Sequence, residues 1–169
     1  MHIRHVSQYD RAEWLRLRAA LWPDCSLEDH HSEMQDQLAD PARYGAFVIE
    51  RDAGKLGGFL EASLRPYADG CRTSPVGYIE GWYVDADLRQ QGLGGKLVKA
   101  AEQWAIKQGC TEMASDCELD NDVSFGAHLA LGYEEVERVI HSARHSPSIE
   151  MCRGDRICQN HPTPFKVYR

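Results

Sequence analysis

In this sequence of 169 residues the densest chemistry lies in one stretch, Val84-Asp85-Ala86-Asp87-Leu88-Arg89-Gln90-Gln91-Gly92-Leu93-Gly94-Gly95-Lys96. An apolar, strand-like run ends there, a glycine-rich turn follows, and a run with helical periodicity begins. The first amides of a helix have no intrahelical acceptor and sit at the positive end of its dipole, so such a turn suits phosphate. Glycines let a diphosphate approach the main chain where any Cβ would intrude. Three phosphate motifs compete for the stretch. A Walker loop needs G-x-x-x-x-G-K-[ST] and fails at Gln90 and Leu97. A dinucleotide fingerprint, G-x-G-x-x-G, fits Gly92-Leu93-Gly94 but meets Leu97 in place of the third Gly, and the turn follows the fourth strand instead of the first. The pattern [RQ]-x-x-G-x-[GA] after a Val-terminated strand is complete as Arg89-Gln90-Gln91-Gly92-Leu93-Gly94. An ordinary strand-to-helix turn is the bland alternative to all three.

Two acids stand out beside it. Glu80 lies inside the otherwise apolar run 76–84, immediately before Gly81. A glycine within a strand suggests a bulge, which would splay the strand from its neighbour and leave a cleft. Partial burial there would suit the acid to accepting a proton; the alternative is an exposed carboxylate on the polar face of the strand. Asp116 closes the next strand-like segment, across the expected cleft, with a loop acid or helix N-cap as its alternative.

The elements that must position these groups can be read from periodicity. Residues 2–6 predict a short strand. Ser7 and Asp10 suit the cap of a helix over 8–22 with Trp14, Leu17, Leu21 and Trp22 as its apolar stripe, and Pro23 follows its end. A second helix is predicted over 27–39, stopped by Asp40-Pro41. Segments 45–51 and 55–65 predict a hairpin joined by Asp52-Ala53-Gly54, and 66–75 a polar loop. Strand 76–84, helix 92–109, strand 111–117, helix 121–131 closed by Gly132, and a final strand 133–141 complete the pattern. The order predicts an α+β (mixed α/β) domain, a mixed sheet with helices on its faces. From about residue 146 periodicity stops. The segment 146–169, with Pro147, Pro162 and Pro164, is expected to be a poorly ordered extension, with a docking strand or swapped arm as the alternative.

Composition narrows the function classes. Apolar residues make up 43% and charged residues 27%, and 19 basic against 26 acidic side chains leave a net charge of −7. That balance argues against nucleic acid as a partner and accords with a cationic ligand. No apolar run approaches the roughly 18 residues of a membrane span, and the first residues lack the apolar core of a signal peptide, so no membrane association and a cytoplasmic location are expected. The six cysteines include no C-x2-C pair and are expected to be reduced. Cys152, Cys158 and His161 lack a fourth zinc ligand, and Asp29-His30-His31 with Glu33 is better read as the first turn of a helix capped by Ser26. No metal is expected. Arg153-Gly154-Asp155 is taken as chance.

The complete [RQ]-x-x-G-x-[GA] loop resembles the acetyl-CoA diphosphate loop of the GNAT superfamily of N-acetyltransferases. Asn121 at a helix start, and His128 four residues before Gly132-Tyr133 where the superfamily has Tyr, extend the likeness. More specifically, residues 1–143 resemble the aminoglycoside 6′-N-acetyltransferases. The likeness rests on Leu17-Arg18-x-x-Leu21-Trp22-Pro23-Asp24, Leu60-Glu61-Ala62-Ser63-Leu64-Arg65, the block Thr73 to Val84 around Glu80-Gly81-Trp82, Ala114-Ser115-Asp116 and Leu131-Gly132-Tyr133-Glu134-Glu135. The resemblance implies a GNAT fold over 1–145: a mixed, mostly antiparallel sheet, helices on both faces, and parallel fourth and fifth strands that splay. It implies acetyl-CoA as cosubstrate, held by Tyr83, Val84, Arg89, Gln90, Gln91, Gly92, Leu93, Gly94, Gly95, Lys96 and Asn121. It further implies an aminoglycoside acceptor of kanamycin or tobramycin type against Trp22, Tyr67, Glu80, Asp116 and Glu137, and a homodimer.

The residue types suit that task. A polycation on sugar rings needs carboxylates and an aromatic wall beside the thioester. Glu80 would take the amine proton directly or through one water, a main-chain N–H near Tyr83 or Val84 would hold the oxyanion, and His128 or a nearby Tyr would protonate the leaving thiolate. No cysteine is needed as nucleophile. A different amine acceptor, such as a polyamine or a peptide N-terminus, and a non-catalytic acyl-CoA sensor both remain open at the level of sequence.

Overall fold

The chain runs β1 (His2–His5), α1 (Arg11–Leu21), α2 (Leu27–Ala39), β2 (Tyr44–Glu50), β3 (Leu56–Arg65), β4 (Val76–Val84), α3 (Leu93–Lys107), β5 (Met113–Ser115) and α4 (Asp122–Ala130). These elements come from a computed structural model, which describes residues 1–140. The five strands form one sheet in sequence order, antiparallel throughout except for the parallel β4–β5 pair.

Period-two alternation sends β2 and β3 side chains to two separate cores. Phe47, Ile49, Leu60 and Ala62 face α3, where they meet Leu97, Val98, Ala101 and Trp104. Ala46, Val48 and Phe59 face the other way, onto Trp14, Leu17 and Leu21 of α1 and Met34 of α2. Each large side chain so buried contributes about 1.5–3 kcal/mol, so the sheet is held from both sides.

The alternation breaks twice, at Gly57 near the start of β3, where Ile49 pairs with Gly58 but Glu50 with Leu56, and at the position that matters for the site. On β3–β4, Glu61 pairs with Gly81 but Ala62 pairs with Ile79, so Glu80 is the extra residue of a bulge. Ile79 and Trp82, three residues apart, therefore both enter the α3-side core. The bulge also ends the parallel pairing: β5 matches Gly77–Ile79 of β4 and goes no further. This is why β5 spans only Met113–Ser115 instead of the expected 111–117.

Two other elements differ from expectation. The helix over 8–22 is a 3-10 turn, Gln8–Asp10, followed by α1. Arg4 reaches Asp10 through two hydrogen bonds, at 2.7 and 2.8 Å, and the Ser7 N–H and hydroxyl add two more at 2.7 Å, which tightens the entry. Residues 133–140 form no strand. Their alternation lacks a partner, because β5 offers only three residues of edge, and Val136 packs over Gly70 of the 66–75 loop instead. The remainder of that expected strand, the boundary at 145, the 146–169 extension, and Cys152, Cys158 and His161 lie outside the described residues. The Ser26 cap is as expected, its hydroxyl accepting the Asp29 N–H at 3.1 Å. No helix among the described residues is long and apolar enough to cross a membrane.

Candidate active site

The bulge presents Glu80 at the point where β4 leaves β5. Ser63 and Arg65, two residues apart on β3, share a face and both reach it. Arg65 donates from Nε to Oε1 at 2.9 Å and from Nη2 to Oε2 at 2.6 Å, and the Ser63 hydroxyl donates to Oε1. The sequence led us to expect an acid in an apolar surround; the structure instead holds an ion-paired carboxylate. The reason is energetic: a half-buried charge is tolerated when a planar guanidinium meets both oxygens.

The Arg65 guanidinium in turn lies 3.4 Å from the centre of the Tyr78 ring. Tyr78 is buried and donates its hydroxyl to Asp116 Oδ1 at 2.6 Å. Burial, and then the Asp116 charge, push the Tyr78 phenol far above its ordinary range, so it stays a donor. Asp116 itself is exposed. Glu80 and Asp116 are thereby joined through Arg65 and Tyr78.

Trp22 completes this side. It ends α1 half-buried, packs edge-on against Phe59, and carries the Arg18 guanidinium 4.7 Å from its ring centre. A Cβ at Gly81 would come within 2.3 Å of the Trp22 ring, so glycine beside Glu80 is what admits the indole. Tyr67 is 66% exposed and donates its hydroxyl to Asp69. Glu137, also exposed, is close enough to Tyr67 for its charge to act on that phenol.

On the other side of β4 a cavity of about 750 Å³ is lined by Trp82, Tyr83, Val84, Arg89, Gln90 and Gly94, and closed by Val123 and Ala127 of α4. It is the space vacated by the short β5. Asp85 donates its N–H to the Gly57 carbonyl at 2.9 Å. By alternation Tyr83 also turns toward β3, while the N–H groups of Trp82 and Val84 face the cavity. Of the two expected oxyanion positions, geometry favours Val84.

The turn into α3 has the features of an anion site. Gly92 is the N-cap with φ of 73°, and no side chain caps the helix. Gln90 shares the left-handed region at φ 59°, a conformation a non-glycine residue adopts at a cost of about 1–3 kcal/mol. The amides of Leu93, Gly94 and Gly95 thus open the helix with no side-chain acceptor, and the Lys96 N–H closes the first turn on the Gly92 carbonyl at 3.2 Å. The loop is braced from outside: Arg89 Nε donates to the Val84 carbonyl at 2.8 Å, Gln91 to the Asp87 carbonyl at 2.9 Å, and Arg51 to Asp87 at 2.7 Å.

His128 is buried, edge-on to Trp82 and Tyr133. Its Nδ1 lies 2.8 Å from the Ser124 carbonyl, which assigns the proton to Nδ1. Burial lowers its pKa, so the neutral ring offers a lone pair at Nε2 and could give up a proton there only after gaining one. Asn121 caps α4, its side chain accepting the Ser124 N–H at 3.0 Å.

Sequence reasoning missed Ser63, Arg65 and Tyr78 as members of the site. It also missed a buried network behind it. Arg18 is 1% exposed and pairs with Glu61 and Glu33, while Trp14 Nε1 and Gln37 Nε2 donate to Glu61 at 2.7 and 2.8 Å. A signal was present, since Arg18 falls on the same helical stripe as Trp14, Leu17 and Leu21. Among the described residues no three His, Cys, Asp or Glu side chains are grouped to hold a metal ion, and Cys71, Cys110 and Cys117 are free thiols.

A sheet that splays after a bulge, with an uncapped glycine-rich helix start beside the gap, defines a coenzyme A-dependent acyltransferase architecture. The family model of the GNAT acetyltransferases matches residues 11–133, and the chain belongs to that family. Its relatives are narrower in kind. Aminoglycoside N(6')-acetyltransferase type 1 of Klebsiella aerogenes is 46% identical over 139 residues, 81% of this chain and 91% of that one. The Serratia marcescens protein of the same name is 44% identical over 128 residues, 75% of this chain and 87% of that one. The structure of AAC(6')-Iy in complex with the bisubstrate analogue CoA-S-monomethyl-acetylneamine aligns with a TM-score of 0.81 at 36% identity, covering 86% of this chain and 98% of that one.

Proposed function

We propose that this chain transfers the acetyl group of acetyl-CoA directly to the 6′-amine of aminoglycoside antibiotics. In this reading the coenzyme diphosphate rests on the amides of Leu93, Gly94 and Gly95, and the pantetheine arm threads the cavity between β4 and α4. The thioester oxygen takes the Val84 N–H, which stabilises the charge that develops there. The acceptor lies with its rings against Trp22 and Tyr67 and its ammonium groups toward Glu80, Asp116 and Glu137. An ammonium has no lone pair, so its proton leaves first, to Glu80 or to a water bound there. Nitrogen then attacks the carbonyl carbon, the C–S bond breaks as the amide forms, and the surplus proton on that nitrogen passes to the departing sulfur, directly or through water, so that CoA leaves as the thiol.

The observation that supports this reading is a bulge that sets Glu80 beside Gly81, whose missing Cβ admits the Trp22 ring, with a cavity lined by Trp82, Tyr83 and Val84 further along the same strand, in a chain whose relatives bear the name of this activity. The test is acetyl-CoA consumption with kanamycin, tobramycin, spermidine and a Ser-initiated peptide. Turnover confined to the first two is expected. Turnover with only spermidine or the peptide would move the acceptor class, and turnover with none would leave an acyl-CoA sensor. The expected homodimer is tested by light scattering, where a mass near 19.1 kDa would remove it.

A further inference from the structure

Glu80 is the candidate base, yet both of its oxygens are already engaged by Arg65, and Oε1 also by Ser63. A carboxylate offers about four lone-pair positions, and three donors fill most of them. An acceptor ammonium arriving at Glu80 meets a cation already in place. Arg65 also feels the Asp116 charge, and it lies on the ring of Tyr78, which binds Asp116. It therefore stands between the two acids that the proposed acceptor uses. Its side chain is 39% exposed, against 1% for Arg18 behind it, so Arg65 can swing into solvent without leaving a buried charge uncompensated.

From this arrangement we infer that Arg65 is a specificity-determining counter-ion, which occupies in the free protein the place an acceptor ammonium takes between Glu80 and Asp116. The inference rests on the acetylation of a cationic amine at Glu80. Counting the three charges, two carboxylates and one guanidinium leave the empty site at −1. An incoming ammonium exchanges for the guanidinium and keeps the local balance. An uncharged amine has nothing to exchange, and the Glu80–Arg65 pair stays closed to it. The internal cation thus competes with every acceptor and lowers apparent affinity by the fraction of time it is in place.

The test compares wild type with Arg65→Gln, Arg65→Met and Arg65→Lys, measuring kcat and KM for kanamycin and KM for acetyl-CoA at several salt concentrations. Arg65→Met keeps apolar packing on Tyr78, so it serves if the Gln variant folds poorly. Removing the charge is expected to lower the kanamycin KM at least threefold and to steepen its rise with salt, because the site goes from −1 to −2. The acetyl-CoA KM should stay put, and Arg65→Lys should restore the wild-type acceptor KM to within twofold. A Gln or Met variant that raises the kanamycin KM, or leaves both it and its salt slope unchanged, overturns the inference while leaving acetyl transfer intact. A wild-type protein that turns over no aminoglycoside overturns the functional reading, and this inference with it.

Discussion

Glu80 differs from the other acids of the chain by where the backbone puts it. A carboxylate on a regular strand position would point to one core or the other; the bulge turns this one to the mouth of the gap beside β5. Its partners Ser63 and Arg65 fix its two oxygens in place through three hydrogen bonds. Glu80→Gln keeps shape and loses the charge. It should lower turnover at least tenfold while acetyl-CoA still binds by calorimetry, and near-wild-type rates across pH 6–9 would remove Glu80 as base. Arg65 meets this carboxylate directly, while Trp22 fills the space that the neighbouring Gly81 leaves open.

At the scale of elements, the strand–turn–helix unit β4–α3 carries the coenzyme side. Its geometry depends on Gly92, whose left-handed backbone lets the loop curl so that the first amides of α3 open outward. Space is not the obstacle there, since a Cβ at Gly92 would meet no protein atom within 4 Å. The obstacle is the conformation, and the ligand that would occupy the empty space. Gly92→Val is therefore expected to raise the KM for acetyl-CoA at least tenfold with little change in the KM for the acceptor, as read by steady-state kinetics. An unchanged acetyl-CoA KM would mean that the diphosphate binds elsewhere.

For the whole molecule, two features set stability. The Arg18–Glu61 pair is buried between α1 and the sheet, with Glu61 directly opposite Gly81. Replacing both partners by apolar residues can be neutral, but removing Glu61 leaves the buried Arg18 with the less buried Glu33 as its one remaining ion-pair partner among the described residues. Glu61→Ala should cost about 3–5 kcal/mol, seen as a lower urea midpoint at an unchanged m-value; a loss below 1 kcal/mol would mean that water reaches Arg18. The second feature is acid sensitivity. Burial lowers the pKa of both His30 and His128 below their ordinary 6.5. Between the folded and unfolded values the unfolded chain binds more protons, so stability falls as pH drops below about 6.5. Asp10 does not contribute to that fall: Arg4 holds its carboxyl down to about 2, so its contribution is full above the ordinary value of 3.8 and is lost as pH falls from there through 2. The melting temperature should therefore already decline between pH 7 and pH 5, and a flat profile there would show that these imidazoles take up protons in the folded protein as readily as in the unfolded chain.

Much of this was legible in the linear chain because its causes are local. Periodicity placed the helices and the long strands, since a period of 3.6 or 2 is set by backbone geometry within a few residues. The phosphate loop and the bulge at Glu80-Gly81 were legible for the same reason, being departures from a local rule. What lay beyond the sequence was whatever depends on which partner comes alongside. The strand expected over 133–141 needed an edge that β5, cut short by the bulge, does not supply. The pairing of Arg65 with Glu80, its seat on Tyr78 and the link to Asp116 bring together positions from two strands and a loop. The choice of Val84 over Tyr83 followed from which side β3 already occupied. Residue type and spacing determined that a base and an anion site exist here; only the tertiary structure decided what each charge faces, because Coulomb and hydrogen-bond energies depend on distances in space that sequence separation does not set.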